Sequence, residues 1–219
     1  MLKKIFRIFT IFIICALLGA GVIIGYRYWQ VGKLAQLPFI PQPVTFTLKA
    51  PERSLTATLT TISGMITKSP RGSTESAAIY NSTTIIQGDG ITSDATSSAL
   101  INFENGTQIL VGKKANLQFI NTIPEEMLLW QQDGFAKYQA TPSAAPITVR
   151  SLSLLTTISS GSATIQVNEP RGNIITITTN DSPITVAYQD KDSNTHIINI
   201  PTNSTATYNH IRRTLTIHP

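Results

Sequence analysis

Ala99-Leu100-Ile101-Asn102-Phe103-Glu104-Asn105-Gly106-Thr107-Gln108-Ile109-Leu110-Val111 holds two short apolar runs on either side of Asn-Gly. Asn and Gly both tolerate positive φ, which a type I′ turn requires, so the stretch predicts a β-hairpin. Working outward, the same grammar repeats. Leu55, Ala57, Leu59 and Ile62 alternate with Thr and Ser. Gly64, Ser69-Pro70-Arg71-Gly72, Gly88-Asp89-Gly90 and Gly112 punctuate the chain at short intervals. β-Branched side chains suit a pleated surface better than a helix.

Past the hairpin, Pro124–Gln132 is ambiguous. Glu125, Glu126, Met127, Leu128 and Leu129 favour helix, and Pro124 suits a first helical turn, but a strand presenting Leu129 and Trp130 fits equally. Residues 139–146 read as a loop. Ile147–Leu155, Ala163–Val167, Ile174–Thr178, Ile184–Tyr188, His196–Ile200, Thr205–Tyr208 and Thr214–Ile217 then read as strands. Many short strands with turns between them predict an all-β fold: a β-sandwich, a roll or a short β-solenoid. Leu59-Thr60-Thr61-Ile62-Ser63 is echoed by Leu155-Thr156-Thr157-Ile158-Ser159, each followed by Pro-Arg-Gly, at 70–72 and 170–172.

The N-terminus has another character. Lys3, Lys4 and Arg7 precede Ile8–Gly25, which carries no charge, and Tyr26, Tyr28 and Trp29 follow. A bilayer core takes about 20 helical residues, and aromatic side chains collect at its interface. The expectation is one transmembrane α-helix within 8–29. Residues 1–7 form a short cytoplasmic tail, and the bulk lies outside the membrane by the positive-inside bias. A cleaved signal peptide with its site at Gly19-Ala20-Gly21 is the alternative, but Val22-Ile23-Ile24 prolongs the apolar run beyond the usual signal length. Gly21 and Gly25 form a GxxxG, which lets two membrane helices pack closely and makes a homodimer an alternative to a monomer. Pro38, Pro41, Pro43 and Pro51 mark residues 30–53 as a semi-rigid linker. Residues 54–123 and 124–219 follow as a β domain and a C-terminal β region continuous with it or separate.

The chain has 219 residues and a net charge of +5. Lys3, Lys4, Arg7 and Arg27 supply four of the 17 basic side chains, and residues 1–27 hold no acid. The rest balances 13 basic against 12 acidic side chains. That leaves no broad cationic surface of the kind nucleic acid requires. The lone cysteine, Cys15, lies in the apolar run, which excludes an intramolecular disulfide and a thiolate metal site.

Residues 63–119 also form an ordered series. Ser63-Gly64-Met65-Ile66 leads to Gln87-Gly88-Asp89-Gly90-Ile91-Thr92-Ser93. Ser98-Ala99-Leu100-Ile101-Asn102-Phe103 comes next, followed by the Asn105-Gly106 turn, Gln108-Ile109-Leu110-Val111 and Asn116-Leu117-Gln118-Phe119. The series resembles the FecR-like domain family, and Gly88, Asp89, Asn105 and Gly106 carry its turns. The resemblance covers about a quarter of the chain. It implies a β-rich module exposed outside the cytoplasmic membrane. Some members of that family relay a signal inward through a cytoplasmic anti-sigma segment. Here only Met1–Arg7 is expected in the cytoplasm, so the resemblance carries over neither sigma-factor regulation nor an iron role.

Chemistry is sparse. His196, His210 and His218 lack helical zinc spacing and an evident carboxylate companion, which reads as exposed strand or tail histidines. Asp190-Lys191-Asp192-Ser193-Asn194 imitates the start of a calcium loop. Thr195 and Pro201 stand where an EF-hand needs Gly and Glu, so a hairpin turn is expected. Asp89 between two glycines reads as a residue capping its own turn rather than a catalytic acid. Trp130, Phe135 and Tyr138 are expected in the core rather than on a sugar-binding face. No catalytic, cofactor or metal residues are expected. The reading is a non-enzymatic, membrane-anchored module that binds or scaffolds an envelope protein or cell-wall polymer. One alternative is a signal-transducing subunit dimerising through its membrane helix, and a second is an envelope hydrolase.

Overall fold

The computed structural model describes residues 53–73, 75–168 and 173–219. The tail, the apolar run with Gly21 and Gly25, almost all of the Pro-rich linker and the second Pro-Arg-Gly lie outside them. The described residues form an all-β structure, and among them no helix is long and apolar enough to cross a membrane.

The first strands are β1 (Ala57–Ser63), β2 (Ile66–Ser69), β3 (Ala77–Ile79), β4 (Ser82–Ile85), β5 (Gly90–Ser93) and β6 (Ser98–Phe103). Then come β7 (Gln108–Val111), β8 (Asn116–Ile123), β9 (Glu126–Ala140), β10 (Ile147–Ser151), β11 (Leu154–Ile158) and β12 (Gly161–Asn168). The last are β13 (Ile174–Thr179), β14 (Ile184–Gln189), β15 (Thr195–Ile200), β16 (Thr205–Asn209) and β17 (Thr214–His218). They build two sheets. One runs β4-β1-β6-β7-β9-β12-β13-β16-β17. The other runs β3-β2-β5-β8-β9-β10-β11-β14-β15. Among the described strands, only β9 and β10 pair in parallel. Alternate side chains of both sheets meet in one hydrophobic core that runs from Ala57 to Tyr208.

β9 belongs to both sheets. Its first half pairs with β8 and β10, its second half with β7 and β12. Burial changes parity on the way: Met127, Leu129 and Gln131 point inward, then Gly134, Ala136 and Tyr138. The extra residue falls at Gln132–Asp133, so the strand arches from one sheet to the other like a bulged corner. The arch nests over Gly112–Ala115, where β7 passes to β8. Gly112 N–H donates to Phe135 O at 2.9 Å and Phe135 N–H to Lys113 O at 3.1 Å. The β5–β6 arch stacks on the other side, Lys114 N–H donating to Asp94 O at 2.8 Å. In the C-terminal half the arches move to the opposite end, where Asn180 N–H meets Ser162 O and Thr179 N–H meets Ser204 O. The β1, β4 and β6 registers put Ile85 and Phe103 on either side of Ala57. The end where Leu55 leads into β1 is termed the near end, and the end holding the β9 arch the far end.

The Ala99–Val111 hairpin forms in the register Ala99↔Val111 to Asn102↔Gln108. Its turn differs from type I′. Only Gly106 has positive φ, at 84°. Gly106 N–H donates to Phe103 O at 3.0 Å, Phe103 N–H to Thr107 O at 2.9 Å, and Asn105 Oδ1 accepts Thr107 N–H at 3.1 Å. That is a longer loop closed by a left-handed glycine, with the Asn side chain supplying the cap.

Pro124–Gln132 resolves as strand from Glu126 on, because pairing on both sides outweighs local helix propensity. Ile147–Leu155 is not one strand. Leu152, at φ 55°, and Ser153 turn the chain between β10 and β11, a break the apolar alternation hid. The Leu-Thr-Thr-Ile echo has no structural counterpart: Leu59 is buried and Leu155 faces outward. Tyr138 is core, but the parity change leaves Trp130 and Phe135 on the outer faces, half-exposed.

Candidate functional site

Gly88-Asp89 and Asn105-Gly106 both sit at the near end. Asp89 is buried. Its Oδ2 accepts Ile86 N–H at 3.0 Å and pairs with Lys68 Nζ at 2.9 Å, and its Oδ1 accepts Arg71 N–H at 3.3 Å. The cap is therefore shared with Lys68, which also donates to Thr84 O at 2.7 Å. Nothing in the sequence pointed to this ion pair, because β2 and the β4–β5 turn meet only through the sheet. Asn105 and Gly106 lie against Thr141 at the hairpin tip. All four residues hold turns, and none of them lines the three hollows at the far end.

The open surface with chemistry is at the far end. A groove of about 550 Å³ crosses the outer face of the β9–β15 sheet between Leu128, Arg150, Leu155, Ala187, Thr195 and Arg213. It continues past Leu152 and Ser153 into a second hollow of about 480 Å³, bounded by Trp130, Gln132, Arg150 and His210. A larger hollow of about 700 Å³ over the β9 arch is walled on one side by Asn168, and residues 169–172 lie outside the described ones.

Each polar group in the groove is positioned. The Arg150 guanidinium lies 5.6 Å from the Trp130 ring centre, and its Nε donates to Leu152 O at 3.2 Å. Arg213 Nη1 donates to Asp190 O at 3.3 Å. Ser153 Oγ is 2.9 Å from the Tyr208 hydroxyl and 3.0 Å from His210 Nδ1. A serine and a histidine at this distance resemble a nucleophile and base, but such a pair works when a third group orients the histidine. Here the serine is tied to the buried Tyr208 instead, which makes it a strut for the β10–β11 turn.

The histidines divide. His218 is exposed at the near end. His210 bonds Ser153. His196 has a carboxylate companion after all: its Nε2 is 2.8 Å from Asp190 Oδ2, and its ring stacks on Tyr188 with centres 5.1 Å apart. The sequence hides this pair because it forms across a hairpin, six residues apart. Asp190 also accepts the N–H groups of Asp192 and Asn194, each at 2.9 Å, and the Asn194 amide at 3.1 Å. Its oxygens are thus spent on the Asx-type hairpin turn, which leaves no acceptor directed at a cation.

That clamp has a pH signature. The hydrogen bond from His196, aided by those from Asn194 and Asp192 and opposed by desolvation, holds the Asp190 carboxyl at about 2, against an ordinary 3.8. A carboxyl lowered on folding adds stability above its unfolded pKa and loses it as pH falls through the folded one. The turn is therefore expected to keep its order down to about pH 4 and lose it toward pH 2. A carboxyl carbon NMR titration should place the Asp190 midpoint near 2, and His196→Ala should raise it. An ordinary midpoint in the unchanged protein would contradict the clamp.

No family model matches the sequence, and no curated protein matches it. Two crystal structures of a "putative anti-sigma factor" from Parabacteroides distasonis share the fold, with TM-scores of 0.50 and 0.51 at 11% and 10% identity. In each, the likeness covers 59% of this chain and 58% of the other, less than two thirds of the neighbour's length. At that identity the likeness establishes a common all-β fold.

Proposed function

We propose that this chain is a membrane-anchored, extracytoplasmic FecR-like module that binds a partner in the bacterial envelope without catalysis. The observation that carries the reading is polarity along the sandwich. The chain enters at the near end, and the groove with Trp130, Arg150, Arg213 and His210 opens at the far end. The groove therefore lies clear of the segment that leads into β1, which leaves it open to a partner. Support also comes from the uncharged run Ile8–Gly25 and from the ordered series over residues 63–119. The groove offers guanidinium, aromatic and aliphatic contacts rather than paired carboxylates, which suits recognition better than hydrolysis.

A second reading is favoured by the fold likeness to the Parabacteroides protein. The module is then the sensing part of a signal-transducing subunit, with Gly21 and Gly25 packing two membrane helices together. Both readings need the anchor. Alkaline carbonate extraction of membranes is expected to leave the full-length chain in the pellet. Release into the supernatant would contradict both.

A further inference from the structure

The outer face of the β9–β15 sheet carries one continuous cross-strand row. Trp130 lies opposite Arg150, Arg150 opposite Leu155, Leu155 opposite Ala187, and Ala187 opposite Ile197. Side chains opposite one another on the same face are direct neighbours. Four steps of about 4.8 Å make the row about 19 Å long, the span of roughly six extended residues. Leu155 is 41% and Ile197 72% exposed. Among the described strands, β15, at the end of the row, is an edge, and it holds no Asp, Glu, Lys, Arg or Pro and no register shift. Edges of this kind are usually guarded by such devices when nothing covers them.

Charge decides what covers this one. Two guanidiniums, Arg150 and Arg213, face the groove, and each is steadied by one backbone carbonyl. Among the described residues, no carboxylate pairs with either, and no Asp or Glu lines the two hollows. Asp190 is nearby, but its oxygens are taken by His196, Asp192 and Asn194. A planar guanidinium with unused N–H donors is suited to gripping a carboxylate by two bonds. The floor between the two arginines is aliphatic, from Leu128, Leu155 and Ala187. Sugar stacking needs an open aromatic face. Arg150 covers one face of Trp130, and Tyr188 is held between His196 and Tyr208.

We propose that this row is the docking site for an extended acidic peptide segment of a partner protein, whose carboxylates meet Arg150 and Arg213 and whose aliphatic side chains lie on Leu155, Ala187 and Ile197. This rests on the binding-module reading and names its partner class, yet the groove chemistry is independent of where the module resides.

The test uses the full chain in neutral detergent micelles and fluorescence anisotropy at low salt, with protein-free micelles as the blank. The probe is a labelled octapeptide alternating glutamate and leucine, and its counterpart carries lysine for glutamate. The glutamate peptide is expected to bind and the lysine peptide to fail. Arg150→Gln and Arg213→Gln should each weaken binding about tenfold, the scale of one charged hydrogen bond. Leu155→Asn should weaken it as well. Arg150→Glu should shift preference toward the lysine peptide, a reversal that misfolding cannot produce. Equal binding of both peptides would overturn the proposal, as would unchanged affinity in the Arg150→Gln/Arg213→Gln double variant. Displacement of the peptide by polygalacturonate, with Leu155→Asn inert, would overturn it in favour of an anionic glycan. Selective peptide binding by a chain that alkaline extraction releases would uphold the groove while overturning the anchored reading.

Discussion

Gly134→Ala is expected to lower the melting temperature of the β module by about 10 °C, at about 2–4 °C per kcal/mol for a domain of this size. Gly134 stands at the crest of the β9 arch with φ +71°. A Cβ there would lie 2.2 Å from the carbonyl carbon and oxygen of Lys114 and 2.4 Å from Ala115 N. These are backbone atoms of the arch nested beneath, pinned by the Gly112–Phe135 and Phe135–Lys113 bonds. Left-handed backbone costs alanine about 1 kcal/mol, and forced overpacking adds about 1–3 kcal/mol. Gly106→Ala supplies the contrast. Its φ is +84°, but the nearest atom to an added Cβ is Thr141 Cγ2 at 3.4 Å. Only the conformational cost of about 1 kcal/mol remains, a shift of about 2–4 °C. Thermal melts followed by circular dichroism separate the two. Equal shifts would mean that the nested arches are not the rigid joint described here.

Asp89→Ala is expected to cost about 3 kcal/mol, the lower end of the range for breaking a buried ion pair. The substitution strips a partner from Lys68 Nζ and leaves the Ile86 and Arg71 N–H groups without their acceptor. The Lys68 side chain retains 17% exposure and can turn to water, which keeps the loss from being larger. Lys68→Met alone is also expected to destabilise, because it leaves the Asp89 carboxylate buried without its cation. The double variant should then lose less than the two single losses combined, since neither charge is left alone. Urea denaturation midpoints provide the measurement, and strict additivity would contradict a coupled pair.

The all-β class and most strands were legible because most strands carry their own alternation and most turns their own Gly, Asn, Asp or Pro. The same local reading missed what depends on neighbours. β9 became a strand only because β8 and β10 flank it. Trp130 and Phe135, both expected in the core, are five residues apart and would face opposite sides of an unbroken strand; the parity change at Gln132–Asp133 turns both outward. The two-residue turn at Leu152-Ser153 bore no glycine or proline, so the break between β10 and β11 was invisible. The Asp89 cap could be read from Gly-Asp-Gly, while its ion pair to Lys68 bridges 21 positions of sequence. The groove was wholly hidden. Trp130, Arg150, Leu155, Ala187 and Ile197 come from five strands, and only the registers set them in one row.

In the proposed arrangement the sandwich lies outside the cytoplasmic membrane while its N-terminus is held in it. Ala95 sits exposed in the β5–β6 arch at the far end. In a Cys15→Ser background, Ala95→Cys makes a chain with a single thiol in the module. Intact spheroplasts of a bacterial host are treated with a membrane-impermeant maleimide before and after lysis. Full labelling of the membrane-bound chain is expected before lysis, whereas labelling that appears only after lysis would contradict the extracytoplasmic placement.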